Sequence, residues 1–156
     1  MPNWKIHLEV GKRVANNIKF NEKDYEFFML GNILPDINNR YIVENIKKQI
    51  SHKVTHFDYN NKTHKNFFNI YKEKISEPIV LGYYVHLFTD YIWNNDFYTS
   101  IVGTEFEKLD KDTLRELKQS DFRNYNNLYV DNQLIPNILN GGAADLQTDD
   151  TIGVGV

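Results

Sequence analysis

His86 and Asp90 stand four residues apart in the most apolar stretch of the chain, residues 78–95. On a helix that spacing brings both side chains out of one face, a turn apart, and Gly82, one turn earlier, leaves room for something to approach. A buried carboxylate without a partner costs several kcal/mol even after relaxation, so Asp90 must meet a cation or strong donors. Two chemistries satisfy it: a hydrogen-bonded His–Asp pair inside a core, or a metal site. The helix alone leaves both open.

The remaining inventory bears on the choice. The chain has five histidines and no cysteine, which excludes a disulfide framework, thiolate zinc fingers, iron–sulfur clusters and a cysteine nucleophile. A transition metal would have to be held by imidazole and carboxylate, usually three or four protein ligands at about 2.0–2.2 Å. His7, Asp36 and His56 are the further candidates, each near the edge or end of an apolar element. Singly, His7 reads equally as a half-buried helix residue, Asp36 as a turn former after Pro35, and His56 as a loop residue packed by Phe57. As a set of three histidines and two aspartates among apolar neighbours they are harder to dismiss. His52, four residues before His56, could be a ligand or a supporting partner, but its polar Ser51-His52-Lys53 setting favours solvent exposure, and His64, inside Lys62-Thr63-His64-Lys65, reads as a surface residue.

The elements that must position these residues are helical, because apolar residues recur at helical spacing and strand-like alternation is nearly absent. Ile6, Val10 and Val14 form one stripe of a helix over residues 4–18, with His7 at its edge. A second helix is predicted over about residues 22–30, stopping at Gly31-Asn32 before Leu34-Pro35-Asp36. Ile42, Ile46 and Ile50 suggest a third, and Phe67, Ile70, Tyr71 and Ile75 a fourth, with His52, His56 and His64 in the loop between. Ser76 is the expected cap and Pro78 the first turn of a helix apolar on nearly every face, hence central and buried. Later helices fit residues 110–118, capped by Asp110 or Asp112, and more weakly 132–139. The expectation is one all-α, multi-helical domain over residues 1–140, followed by a glycine-rich, acidic tail at 141–156 without periodicity.

Composition sets the outer bounds. With 41% hydrophobic and 14% aromatic residues, disorder is excluded as the main state of the 156-residue chain. The 18 basic and 21 acidic side chains, a formal charge of −3, give no global cationic field. Nucleic acid is therefore not an expected partner, and phosphate chemistry has to come from a local site. The opening MPNWKIHLEVGKRV lacks the pattern of a secretory leader, and no stretch reaches the roughly 18 apolar residues of a membrane span, so a cytoplasmic protein is expected. Phe57, Tyr59, Tyr83, Tyr84, Tyr91 and Trp93 flank the candidate residues. Most are expected simply to pack the core, and none is assigned to substrate.

Four strings occur in order: Ile6-His7-Leu8-Glu9-Val10-Gly11, Gly31-Asn32-Ile33-Leu34-Pro35-Asp36, Val54-Thr55-His56-Phe57, and Gly82-Tyr83-Tyr84-Val85-His86-Leu87-Phe88-Thr89-Asp90. Together, over residues 4–95, they resemble the zinc-dependent phospholipase C family. That family includes secreted bacterial phosphatidylcholine-cleaving enzymes and the glycosylphosphatidylinositol-specific phospholipase D, and is similar in fold to the single-strand-specific zinc nucleases. The resemblance implies one or two zinc ions, with Asp36, His56, His86 and Asp90 around one and His7 with a bridging Asp90 on the second. It places Asp36 as general base and implies a phosphodiester substrate, of phospholipid type, attacked by metal-activated water. Two metals about 3.5–4 Å apart would clamp the phosphodiester oxygens and supply the positive charge that the protein lacks. A phospholipid substrate also implies transient contact with a membrane surface, and no obligate protein partner is evident.

The departures from the family define a second expectation. Relatives use further downstream ligands, including two histidines and a glutamate, whereas no histidine follows His86 here. Asp96 falls where a downstream histidine would be expected, and Asn94 extends the face that carries Asp90. Secreted relatives also use their mature N-terminal amine, where this chain begins Met1-Pro2-Asn3-Trp4. The alternative is thus a non-catalytic zinc-binding helical module that has lost part of the family's metal site.

Overall fold

The computed structural model describes residues 4–37, 50–60 and 62–129. The Ile42 and Ile46 stripe, the 132–139 helix and the 141–156 tail lie outside the described residues. Within them the fold is all-α: six α-helices joined by turns, three of which are 3-10.

Helix α1, Trp4–Ile18, has the bounds its periodicity predicts, but its buried face differs. Ile6, His7, Leu8, Gly11 and Ala15 are buried, while Val10 and Val14 are half-buried. His7 therefore lies at the centre of the contact face rather than at its edge. Gly11 and Ala15, one and two turns on, are small enough to let a neighbouring helix close in, and residue size decided the face where hydrophobicity did not.

Helix α2, Glu22–Ile33, begins at Asn21, whose side chain accepts from the Asp24 backbone N–H at 2.8 Å. The Asn21 amide donates back to the Asp24 carboxylate at 3.1 Å, a reciprocal cap at the positive end of the helix. The helix does not stop at Gly31-Asn32 as the sequence suggests; it continues to Ile33 and tightens into a 3-10 turn, Leu34–Asp36. Gly31 serves packing instead of termination. A Cβ there would sit 2.0 Å from the carbonyl oxygen of Ile79.

The short helix α3, His52–Thr55, ends just before His56, and α4 spans Thr63–Tyr71. Helix α5, Pro78–Ser100, starts with Pro78 in its first turn, as expected, but Glu77 rather than Ser76 is the capping residue and makes no side-chain cap bond. Its buried positions run from Ile79 to Asp90 and stop there. Phe88, Tyr91, Ile92, Trp93 and Tyr98 are exposed, so α5 is central only through its first half. Helix α6, Lys111–Tyr129, is longer than the predicted 110–118. Asp110 caps it by accepting from the Thr113 N–H at 2.8 Å and hydroxyl at 2.7 Å.

The core is the seam between α2 and α5. Phe28, Met29, Leu30 and Ile33 of α2 and Val80, Tyr83 and Leu87 of α5 are buried there, with Phe67 of α4 stacked on Tyr83 at 4.8 Å between ring centroids. The two helices meet backbone to backbone at Gly31 and Gly82. A Cβ on Gly82 would lie 2.0 Å from the Phe28 carbonyl oxygen and 2.9 Å from the Asn32 nitrogen. The room at Gly82 is thus filled by α2 itself. No helix among the described residues is long and apolar enough to cross a membrane.

Because backbone cannot yield as a flexible side chain does, Gly82→Ala must separate α2 from α5. The expected loss is about 2–3 kcal/mol from overpacking, against a gain of about 1 kcal/mol in helix propensity. A clear drop in the urea midpoint is the expected reading; an unchanged midpoint would show that the seam is looser than described.

Candidate metal centre

Four elements bring His7, Asp36, His56, His86 and Asp90 to one point. His7 comes from α1, Asp36 from the 3-10 turn after α2, His56 from the residue ending α3, and His86 and Asp90 from α5. All five are buried, none more than 6% exposed. His7 Nε2 lies 3.2 Å from Asp90 Oδ1, His56 Nε2 lies 3.3 Å from Asp36 Oδ1, and both His56 and His86 present Nε2 to Asp90 Oδ2 at 3.5 Å. His86 Nε2 also stands 3.7 Å from Asp36 Oδ2. All three imidazoles thus turn the same nitrogen inward. The His7 and His86 rings are stacked, 3.5 Å between centroids and 12° from parallel.

The outer nitrogens fix which inner nitrogen carries a lone pair. His86 Nδ1 lies 2.7 Å from the Asn32 carbonyl oxygen. A carbonyl only accepts, so Nδ1–H donates and Nε2 is left bare in the neutral ring. The Thr55 hydroxyl spends its one proton on the His52 carbonyl at 3.2 Å and therefore accepts from His56 Nδ1 at 2.9 Å. Tyr83 holds this corner by donating its hydroxyl to the Thr55 carbonyl. His56 and His86 consequently aim Nε2 lone pairs at carboxylate oxygens, acceptor against acceptor.

That arrangement needs a cation. His7 Nε2, His56 Nε2, His86 Nε2 and both Asp90 oxygens are buried without an aligned hydrogen bond among the described residues, an exceptional density of unsatisfied groups in so small a volume. Among the described residues no lysine or arginine pairs with Asp36 or Asp90. The spacings of 3.2–3.7 Å bracket the edges of a tetrahedron whose centre lies about 2.0–2.2 Å from each ligand, namely about 3.3–3.6 Å. His7, His86 and Asp90 form one group able to hold a metal ion, and Asp36, His56 and His86 form another.

The electrostatics agree. Burial alone would push both carboxyls up, yet the surrounding histidines outweigh it: His86 first holds Asp36 below the usual carboxylate range, and His7 with His86 hold Asp90 well below it. Burial, then repulsion from His86, keeps His7 below its ordinary value. His86 moves the other way. Burial disfavours its charged form, but Asp36 and then Asp90 outweigh burial and raise it above its ordinary value.

The centre opens at His56 and Asp90 onto a cleft of about 610 Å3 that His52, Asp58, Tyr91 and Asn94 also line, a size ordinary for a small-ligand site. His52 is exposed, as its polar setting suggests, and stacks on His56 at 3.7 Å. Asn94 borders the cleft one turn beyond Asp90, whereas Asp96, on the other side of α5, is exposed and belongs to neither metal-holding group. The surface position expected for His64 is wrong. It is 6% exposed, sharing the face of α4 that carries Phe67 toward α5 and lying 4.5 Å from the Tyr91 ring. Of the six flanking aromatics, Tyr83 is buried and Phe57 and Tyr84 half-buried, but Tyr59, Tyr91 and Trp93 are exposed. Core packing therefore accounts for only part of the set. The roles of Asn32 and Thr55 escaped the sequence reading; Thr55, next to His56, was the findable one.

In comparisons with known proteins, the model of a family described as zinc dependent phospholipase C matches residues 6–127, a span that includes all five clustered residues. No curated protein and no solved structure matches the chain.

Since a metal takes the neutral ring, the proton that Asp36 and Asp90 hold on His86 must leave when an ion binds. Zinc affinity is therefore expected to fall as pH drops below neutrality, by on the order of tenfold per pH unit for each displaced proton. Titration calorimetry in two buffers of different ionisation enthalpy reads the release directly. Equal heats in both would contradict the protonated state of His86.

Proposed function

The chain belongs to the zinc-dependent phospholipase C family, and from that premise we propose that it is a zinc-dependent phosphodiester hydrolase acting on a phospholipid-type substrate. His7, Asp36, His56, His86 and Asp90 are the metal ligands in this reading, and Asp36 is the group that manages a proton. The observation that carries it is the convergence of three imidazole Nε2 atoms on two carboxylates at 3.2–3.7 Å with no competing lysine or arginine among the described residues. A zinc ion bound there supplies Lewis-acid chemistry, polarising a phosphoryl oxygen and lowering the pKa of water toward about 7.

The protein's own residues do the rest. Asp36, kept ionised by His86 and its neighbours, offers carboxylate oxygens as hydrogen-bond acceptors to the attacking water. Asn32 and Thr55 hold His86 and His56 so that neither ring must reorient when charge develops. The cleft bounded by His56 and Asp90 admits the phosphodiester, and the exposed Phe88, Tyr91, Ile92 and Trp93 beyond it are suited to transient contact with a lipid surface.

One observation favours a second reading, a non-catalytic zinc-binding helical module: no histidine follows His86 to complete the family's ligand set. The two readings part on metal content and turnover. Elemental analysis of purified protein should give about two zinc per chain for the hydrolase and about one for the structural module. The hydrolase should also cleave a chromogenic phosphodiester and phosphatidylcholine, lose activity on chelation and regain it with zinc. His86→Ala and Asp90→Ala should each empty the site. Asp36→Asn, measured at full zinc loading because Asp36 is also a ligand, should lower kcat by about 10²–10⁴, the usual worth of a general base. Activity that survives chelation would overturn the hydrolytic mechanism, and full metal occupancy in both alanine variants would overturn the ligand set.

A further inference from the structure

Asn32 is wholly buried in α2, one turn before Asp36, and neither its side-chain oxygen nor its nitrogen has a hydrogen-bond partner among the described residues. An unpaired buried amide costs about 1–3 kcal/mol, so a residue of this kind persists only where something uses it. Its surroundings identify the use. The side chain lies against α1 at Gly11, where a Cβ would come 3.1 Å from Asn32 Cγ and 3.2 Å from Oδ1. Gly11 is one turn beyond His7 on the same buried face. His7 Nδ1 is the one other outer imidazole atom of the three inward-facing rings left without a partner among the described residues.

The stacking completes the geometry. The His7 and His86 rings are nearly parallel at 3.5 Å, and both turn Nε2 toward Asp90. His86 Nδ1 donates to the Asn32 backbone oxygen at 2.7 Å, which places Asn32 beside the stacked pair. We propose that Asn32 is the positioning residue for both stacked imidazoles, its backbone carbonyl fixing His86 and its side-chain Oδ1 fixing His7 by accepting, through one trapped water, from Nδ1–H. Two orphaned groups satisfy each other in this arrangement, and both Nε2 lone pairs are held toward the same carboxylate. Outer partners of this type set the tautomer and ring orientation of ligating histidines. Gly11 is required because any side chain there would displace the amide from His7.

The proposal rests on the ligand set of the proposed function, and the experiment separates the two. Wild type, Asn32→Leu and Asn32→Asp are compared as full-length protein for zinc affinity, and after cobalt loading for the exchange rate of the His7 Nδ1 proton by NMR. Asn32→Leu should weaken zinc about 10–100-fold, the usual cost of losing an outer partner, and expose the His7 proton to fast exchange. Its metal-free thermal stability should fall, because His7 Nδ1–H is left buried without its acceptor. Asn32→Asp keeps an acceptor in place and should restore both affinity and slow exchange. Gly11→Ala provides the second route, since its Cβ pushes on the Asn32 amide and should mimic Asn32→Leu if that variant fails to fold. Wild-type affinity and wild-type proton exchange in Asn32→Leu would overturn the role of Asn32 and leave the ligands standing. Failure of the wild-type protein to bind zinc would overturn the ligand set, and this role with it.

Discussion

Helices α2 and α5 touch backbone to backbone at Gly31 and Gly82, and that contact lets the Asn32 carbonyl reach His86 Nδ1 at 2.7 Å. A helical carbonyl normally serves the N–H four residues on; here it lies where the 3-10 turn begins and has a lone pair to offer a side chain. Three consequences follow from this bond. His86 is locked as the tautomer with a bare Nε2. Asp36, four residues after Asn32, is carried to the same place by the tightened turn. The interior face of α1 then has to accommodate His7 stacked on a ring that cannot move.

The cluster is an electrostatic compromise that needs an ion to resolve it. Two buried carboxylates repel each other, and two imidazoles in fixed tautomers offer them lone pairs. Asp36 and Asp90 raise His86 against the opposition of burial, while burial first, and then repulsion from the His86 ring stacked on it at 3.5 Å, holds His7 below its ordinary value. A proton satisfies one contact at a time, whereas a divalent ion at the centre can satisfy several. That difference accounts for five polar groups being tolerated in the interior of a chain this small.

Much of this was legible in residue types and spacing. Imidazole and carboxylate among apolar neighbours, with no cysteine to compete, pointed to all five residues that the fold brings together, and the i, i+4 relation of His86 and Asp90 survives intact. What escaped the sequence has physical causes. Gly31 looked like a helix stop because glycine in isolation frees the backbone, whereas in α2 it makes room for Ile79. His7 looked peripheral because hydrophobicity weighs Val10 and Val14 above Gly11 and Ala15, although small residues mark where helices come closest. His64 looked solvated because its chain neighbours are lysines, while its helical neighbour Phe67 faces the core. The Asn32 carbonyl has no sequence signal at all, since every residue carries one.

The abrupt end of burial along α5 explains how a desolvated centre remains reachable. Up to Asp90 the helix is enclosed by α1, α2 and α4; beyond it the same helix runs on with exposed Tyr91, Ile92 and Trp93. The boundary falls at the carboxylate that three imidazoles share. Ligands inside it sit where water screens poorly and electrostatic interactions are strong, while His56 and Asp90 still form the floor of an open cleft. Such a boundary would fail if a nearby cation neutralised Asp90. The lysine buried among the described residues, Lys118 of α6, is kept occupied: its Nζ donates to Asn94 Oδ1 at 2.8 Å and lies over the rings of Phe97 and Tyr98. Asn94, one turn from Asp90, thus separates the lysine from the carboxylate with a neutral carbonyl, and the negative charge at the cleft floor stays available to an ion from solution.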